Sequence, residues 1–190
     1  MFDYVMVLIS IAIGLALTHL MQGIAGLIQH PDRARAWWVH LVWVAYMFIS
    51  TIFWWWWEFN LKQVTTWTFL LFSFVLCYAF LIYVICALLF PKDLEGYDGF
   101  KDYFLSRRRW FFGFLIFWQA IDLFDSWIKG PDHFASLGIE YLVAWVVFSL
   151  LAVLGIWTRS ATVHAVIALL YLGYNISWVL RLFNTIGSAT

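Results

Sequence analysis

The sequence is dominated by long runs of apolar residues that contain almost no charge. Six such runs, each of roughly 20 residues, cover most of the chain. A helix of about 20 residues rises about 30 Å, which matches the hydrocarbon thickness of a bilayer. Hydrophobic residues make up 65% of the chain and charged residues only 12%, too little polarity to cover a soluble domain. The runs predict an all-α, polytopic integral membrane protein.

We expect one domain, residues 1–190, that forms a six-transmembrane-helix bundle. Backbone groups in a bilayer must pair within their own segment, which favours helices. Pro31 and Pro91 end the first and third runs, because proline cannot continue a helix. Residues 91–108 form a loop that could fold into a short helix at the membrane surface. The predicted spans are about 4–28, 37–57, 67–90, 109–128, 137–157 and 163–183.

Basic residues are distributed unequally between the two ends of the predicted bundle. The links after the first, third and fifth spans carry eight Lys and Arg residues, and the opposite end carries three. The positive-inside rule places the richer end, with loop 91–108, in the cytoplasm. The N-terminus lacks the basic region of a cleaved signal peptide. We therefore expect a protein of the bacterial cytoplasmic (inner) membrane with its N- and C-termini outside.

Four consecutive tryptophans, Trp54 to Trp57, end the second run and precede Glu58. Indole side chains settle at the headgroup level of a bilayer. Consecutive helical residues point in different directions, so some of the four must contact neighbouring helices. We interpret them mainly as an outer aromatic belt. A stacking or cation–π platform for a ligand is the alternative.

The first span carries small and polar residues at strict four-residue spacing. Small residues let helix backbones approach closely, and hydroxyl and amide groups can hydrogen-bond across the contact. The stripe predicts that this helix is either central in the bundle or part of a subunit contact. We therefore expect a homo-oligomer or a larger membrane complex. The stripe consists of Ser10, Gly14, Thr18, Gln22 and Gly26.

The fourth run contains the most polar stretch of any predicted span, QAIDLFDSWIK. An ionisable group within a span costs about 2.5–3.5 kcal/mol on insertion, so each one indicates an ion pair or a functional site. Asp125 can pair with Lys129 one turn later. Two acids three residues apart, Asp122 and Asp125, would repel each other unless a cation is near. Arg181 is the expected cation.

Two interpretations of these polar residues stay open: a structural cluster of salt bridges, and a proton or cation site. The candidate transport or ion-binding residues are Asp122, Asp125, Glu58, Glu140, Arg181, Gln119 and Asn175.

Three histidines fall within predicted spans: His19, His40 and His164. His40 and His164 are expected at matching depth, as two axial haem ligands require, and His19 about two turns deeper. A haem or metal ion is therefore one interpretation, and hydrogen-bonded structural histidines are the other. Apart from this possibility, no cofactor is expected.

Sequence patterns of phosphate-binding loops, H-E-x-x-H metalloproteases and G-x-S-x-G hydrolases are absent, so we do not expect an enzyme. Nothing indicates nucleic-acid binding, and the expected partners are the lipid bilayer and other membrane subunits. The acids at one end favour a channel or transporter for protons or small cations, because an acidic outer mouth concentrates cations. The alternatives are a non-catalytic assembly, sensory or accessory subunit, and a haem- or metal-binding redox protein.

Overall fold

A computed structural model describes residues 1–30 and 35–186, with side chains as far as Arg181. Pro31 and Arg33, to which the sequence assigns a helix end and a basic charge, lie outside these ranges. Seven α-helices occupy the described residues, and a 3₁₀ helix, Glu58–Gln63, extends the second. The helices are α1 (Phe2–Gln29), α2 (Trp38–Trp57), α3 (Phe69–Ala87), α4 (Phe100–Ile128), α5 (Pro131–Ser136), α6 (Gly138–Trp157) and α7 (Ala161–Ile186).

Six of these helices, all except α5, are long and apolar enough to cross a membrane. This confirms the prediction of an all-helical, multi-pass membrane protein. Local sequence explains the ends: Thr68 caps α3 by accepting a hydrogen bond from the Leu71 amide at 3.2 Å. The short α5 begins with proline, which suits the first helical position.

The prediction of a loop over 91–108 is wrong in its second half, because α4 begins at Phe100. Gly99 turns the chain with a φ of 114°, and a Cβ there would lie 2.9 Å from the Arg35 carbonyl oxygen. The Phe100 amide donates to that same oxygen at 3.1 Å. The three arginines at 107–109 therefore lie on α4 itself. Its 29 residues rise about 43 Å, beyond the hydrocarbon thickness.

Antiparallel neighbours place charges of opposite sign at the two ends of the bundle. We call the end with Glu58, Asp125 and Glu140 the acidic end, and the end with Lys101 and Arg159 the basic end. α2 is central and packs against α1, α3, α4 and α7, while the other neighbouring pairs include α1 with α3, α4 with α6, α3 with α4 and α6 with α7. α6 and α7 turn mostly apolar side chains outward.

The polar stripe of α1 does not form its packing face within the chain. Gly14, Thr18 and Gln22 are exposed, and only Ser10 takes part in a contact, accepting from the Trp55 indole at 2.8 Å. The buried face is apolar and comprises Val5, Met6, Ile9, Ala12, Ile13, Ala16 and Leu20. Helix α1 is therefore peripheral, and a subunit contact through the stripe stays a prediction.

Candidate functional site

A buried ion cluster lies at the acidic end, where α2 and α4 finish. The Lys129 ammonium contacts the Glu58 carboxylate at 2.9 Å and also the Asp125 carboxylate. All three side chains are almost completely buried. The predicted pairing of Asp125 with Lys129 is confirmed, and Glu58 joins it from the neighbouring helix.

The two carboxylates favour the charged form of Lys129. Burial lowers its pKa, but the charges and hydrogen bonds of Glu58 and Asp125 raise the pKa by more, so the net direction is upward. Each carboxylate uses one oxygen for Lys129; Glu58 Oε2 and Asp125 Oδ1 have no hydrogen-bond partner among the described residues. The cluster therefore holds two acids on one cation and is closed to the surface.

Arg181 does not join these acids, so the expectation that it would neutralise them is wrong. Its guanidinium binds the Glu140 carboxylate through two nitrogens, with Nη1 to Oε2 at 2.8 Å. Both side chains are half exposed. The pair joins α6 to α7, and sequence alone could not show which helix neighbours α7.

Asp122 lies apart from the cluster and has its own partners. The Tyr78 hydroxyl donates to Oδ1 at 3.0 Å, and the Tyr141 hydroxyl donates to Oδ2 at 2.7 Å. The Trp118 indole donates to Tyr78 at 2.9 Å, and Ser126 lies 3.3 Å from Tyr141. Asp122 is thus held by aromatic hydroxyls, and no cation pairs with it among the described residues.

A cavity of about 180 Å³ opens beside Asp122, between α2, α4, α6 and α7. Eleven of its eighteen lining residues are Phe, Trp or Tyr. Along α2 it extends from Tyr46 to Trp57, a rise of roughly 16 Å. Asp122 is the only carboxylate among the described lining residues. The other polar side chains in the lining, apart from tyrosine and tryptophan, are Ser50, Gln119, Ser126 and Asn175.

Two of the predicted polar residues, Gln119 and Asn175, line this cavity and differ in their hydrogen bonding. Gln119 is fixed, since its amide donates to the Tyr171 hydroxyl at 3.2 Å and accepts from Ser149 at 3.0 Å. The side-chain oxygen of Asn175 is buried and has no hydrogen-bond partner among the described residues. Gln119, Asn175 and Asp122 therefore converge, whereas the other four candidates belong to ion pairs elsewhere.

Toward the basic end the cavity stops at packed aromatic rings. Trp43 is fully buried, and its ring lies 5.6 Å from Tyr46, 5.1 Å from Tyr171 and 5.5 Å from Phe112 between centroids. Tyr46 and Tyr171 also contact each other at 5.3 Å. These rings fill the space between α2, α4 and α7 and form the floor of the cavity.

The four consecutive tryptophans divide between the belt and the cavity. Trp56 is exposed, as an aromatic belt requires, and Trp55 contacts α1 through Ser10. Trp54 is 3% exposed, and both Trp54 and Trp57 line the cavity. Trp56 therefore fits the aromatic belt, and Trp54 and Trp57 lie where a platform for a ligand would need them.

The three histidines donate to carbonyl oxygens at helix C-termini, which lack partners within the helix. His40 Nε2 lies 2.7 Å from the Leu89 oxygen and His19 Nε2 lies 3.0 Å from the Phe90 oxygen, both just after α3. His164 Nε2 lies 3.2 Å from the Thr158 oxygen at the end of α6.

His19 is therefore level with His40, and its predicted position two turns deeper is wrong. The described residues contain no group of three or more His, Cys, Asp and Glu side chains that could hold a metal ion.

Sequence reasoning missed the aromatic partners of the site: Tyr78, Tyr141, Trp118 and Trp145. All four resemble ordinary membrane aromatics in the sequence. One signal was available, because a buried tyrosine or tryptophan usually finds a partner for its polar atom. Tyr78 lies in the middle of an apolar run and so indicated a polar group on a facing helix.

Together the fold and the cavity define a multi-pass helical membrane protein whose aromatic cavity has one carboxylate among its described lining residues. Comparison with family models, with curated proteins and with solved structures finds no match to this chain.

Proposed function

We propose that this protein binds small cations in the Asp122 cavity and carries them across the membrane. The observation that carries the proposal is the placement of Asp122, the one carboxylate among the described lining residues. A carboxylate in a low-dielectric chamber attracts a cation far more strongly than it would in water. An uncompensated ionisable group within a span is also a marker of an ion or substrate pathway.

The surrounding charges favour a positive ligand. Glu58, Asp122 and Asp125 lie at one end of the bundle with a single buried ammonium, that of Lys129. Three carboxyl groups therefore share one ammonium, and a bound cation would supply a second positive charge.

A carrier is favoured over an open channel. The rings of Trp43, Tyr46 and Tyr171 close the cavity toward the basic end. In alternating access, the binding site is open to one side of the membrane while packed side chains close the other. We propose that cations reach Asp122 from the acidic end, which the distribution of basic residues assigns to the outside.

Cation flux into proteoliposomes tests this function, with Asp122→Asn as the main variant. Loss of a charge partner in a buried site costs about 2 kcal/mol or more, so flux at low cation concentration should fall at least about thirtyfold. Asp132→Asn is the matched control: it removes an exposed carboxylate at the same end that does not line the cavity. Flux that survives Asp122→Asn at the wild-type rate would remove the proposal.

An assembly or accessory role is the second candidate, favoured by the outward stripe of α1. A Cβ added at Gly14 or Gly26 would meet no atom within 4 Å, so this face is open to another helix. Native mass spectrometry in mild detergent tests it. A dimer that Gly14→Leu dissociates would support this role, and a monomer without a co-purifying partner would count against it.

A further inference from the structure

We infer that the ligand of the Asp122 cavity is an organic ammonium cation and not an inorganic ion. This inference rests on the proposed function and names the chemical class of its substrate.

The walls of the cavity are suited to a cation that carries methyl or methylene groups. Aromatic faces attract ammonium groups through the ring quadrupole, tryptophan most strongly, and aromatic cages are a general solution for quaternary ammonium ligands. The lining includes five tryptophans: Trp54, Trp57, Trp118, Trp145 and Trp178. In such a site, the carboxylate contacts the charge of the ligand and the indole rings contact its methyl or methylene groups.

Two of these indoles are held in place by hydrogen bonds. Trp118 donates to Tyr78 and Trp145 donates to the Gln119 carbonyl oxygen at 2.8 Å. At the edge of the same lining, the Arg181 guanidinium lies 5.5 Å from the centroid of Trp178. A cation–π contact of the proposed kind therefore already exists within this chain.

The cavity has few oxygen atoms, and those of Asp122 and Gln119 already accept hydrogen bonds, so the lining cannot form the coordination shell of a hard metal ion. Calcium takes six to eight oxygen ligands and magnesium takes six. Both Asp122 oxygens already accept tyrosine hydroxyls, and the Gln119 oxygen accepts Ser149. An organic ammonium needs no such shell, because ring faces and one carboxylate replace its hydration.

The size of the cavity fits the same class. Its volume is about 180 Å³. A cavity of about 150 Å³ accepts benzene, which has six heavy atoms. Tetramethylammonium or choline therefore fits.

Isothermal titration calorimetry of the wild-type protein in maltoside micelles tests the inference with choline and its neutral isostere 3,3-dimethyl-1-butanol. We expect choline to bind at least about tenfold more tightly than the isostere, because only choline carries the charge. Maltoside avoids the choline headgroup of phosphatidylcholine. This comparison needs no substitution and so does not depend on the folding of a variant.

Variants then identify the groups that recognise the cation. Asp122→Asn should abolish choline binding. Trp178→Leu should weaken it several-fold, and Trp178→Phe, which keeps an aromatic face, should weaken it less. Trp127→Leu is the control, since Trp127 is an exposed tryptophan at the same end that does not line the cavity.

Equal binding of choline and the isostere would overturn the inference. So would the absence of ammonium binding in a protein that shows Asp122-dependent flux of sodium, potassium or protons, and in that case the proposed function would stand. Absence of both binding and Asp122-dependent flux of any cation would overturn the inference and the proposed function together.

Discussion

At the scale of single residues, Lys129 has the largest expected effect on stability. It is buried between Glu58 and Asp125, so Lys129→Met leaves two acids without their cation. Removing one partner of a buried pair costs about 3–5 kcal/mol. We expect Lys129→Met to lower the unfolding temperature strongly in detergent. The exposed Lys62, also at the acidic end, provides the control Lys62→Met, which should change little.

A triple variant separates charge from packing in this cluster. Lys129→Met combined with Glu58→Gln and Asp125→Asn removes the ions together, and it should recover much of the stability that Lys129→Met loses. If the triple variant is as unstable as the single variant, packing of the Lys129 stem and not its charge stabilises this end.

The same ion cluster predicts that the stability of the folded protein depends on pH. Because the pKa of Lys129 is raised above its ordinary value of 10.5, its contribution to stability is complete below 10.5 and is lost as pH rises through the higher folded value. Above about pH 10.5, where the acids have finished titrating, the stability difference between wild type and the triple variant should therefore shrink as pH rises. Denaturant unfolding across this range measures it, and a difference that grows with alkaline pH would be the wrong sign.

The histidines give a prediction that separates structure from redox chemistry. His40→Phe leaves the Leu89 carbonyl oxygen without its donor in a buried position, which costs about 1–3 kcal/mol. The exposed His30 is the control, as His30→Ala should change little. The absorption spectrum should show no visible band in either protein. A Soret band that His40→Phe removes would restore the haem interpretation.

At the scale of helices, two glycines of α1 form a matched pair. A Cβ at Gly23 would lie 2.2 Å from the Phe90 ring, whereas a Cβ at Gly26 would meet nothing within 4 Å. Overpacking costs about 1–3 kcal/mol, while an alanine at an open helical position favours the helix by up to about 1 kcal/mol. Gly23→Ala should therefore lower the unfolding temperature and Gly26→Ala should not. The reverse order would show that the stripe, and not the Gly23 face, packs α1.

The sequence predicts the helices, but it does not predict which helices pack against each other. Length and hydropathy identified six spans because the bilayer sets both quantities. The start of α4 was misplaced because three arginines resembled a membrane surface, while Gly99 and its contact with Arg35 fix the turn. The Asp125–Lys129 pair was predictable from spacing within one helix. Glu58 and Tyr78 join their partners across helices, and one sequence does not show which helices are adjacent.

At the scale of the whole molecule, the closed ion cluster and the cavity are separate, and the described part of the cavity lining contains one carboxylate, that of Asp122. The cluster contains Glu58, Asp125 and Lys129 in contact, which suits structural support of the acidic end. Asp122 is held by tyrosines and faces the aromatic cavity. The structural ion pair therefore involves Asp125, and the cation site that we propose lies at Asp122, one turn earlier on α4.

The most direct measurement is the current that a jump in choline concentration produces in proteoliposomes on a solid-supported membrane. Transport of a cation moves charge, so wild-type protein should give a saturable current and Asp132→Asn should give the same. Asp122→Asn should give none, although it reconstitutes to the same density. Equal currents from wild type and Asp122→Asn would contradict a cation-carrying role for this cavity.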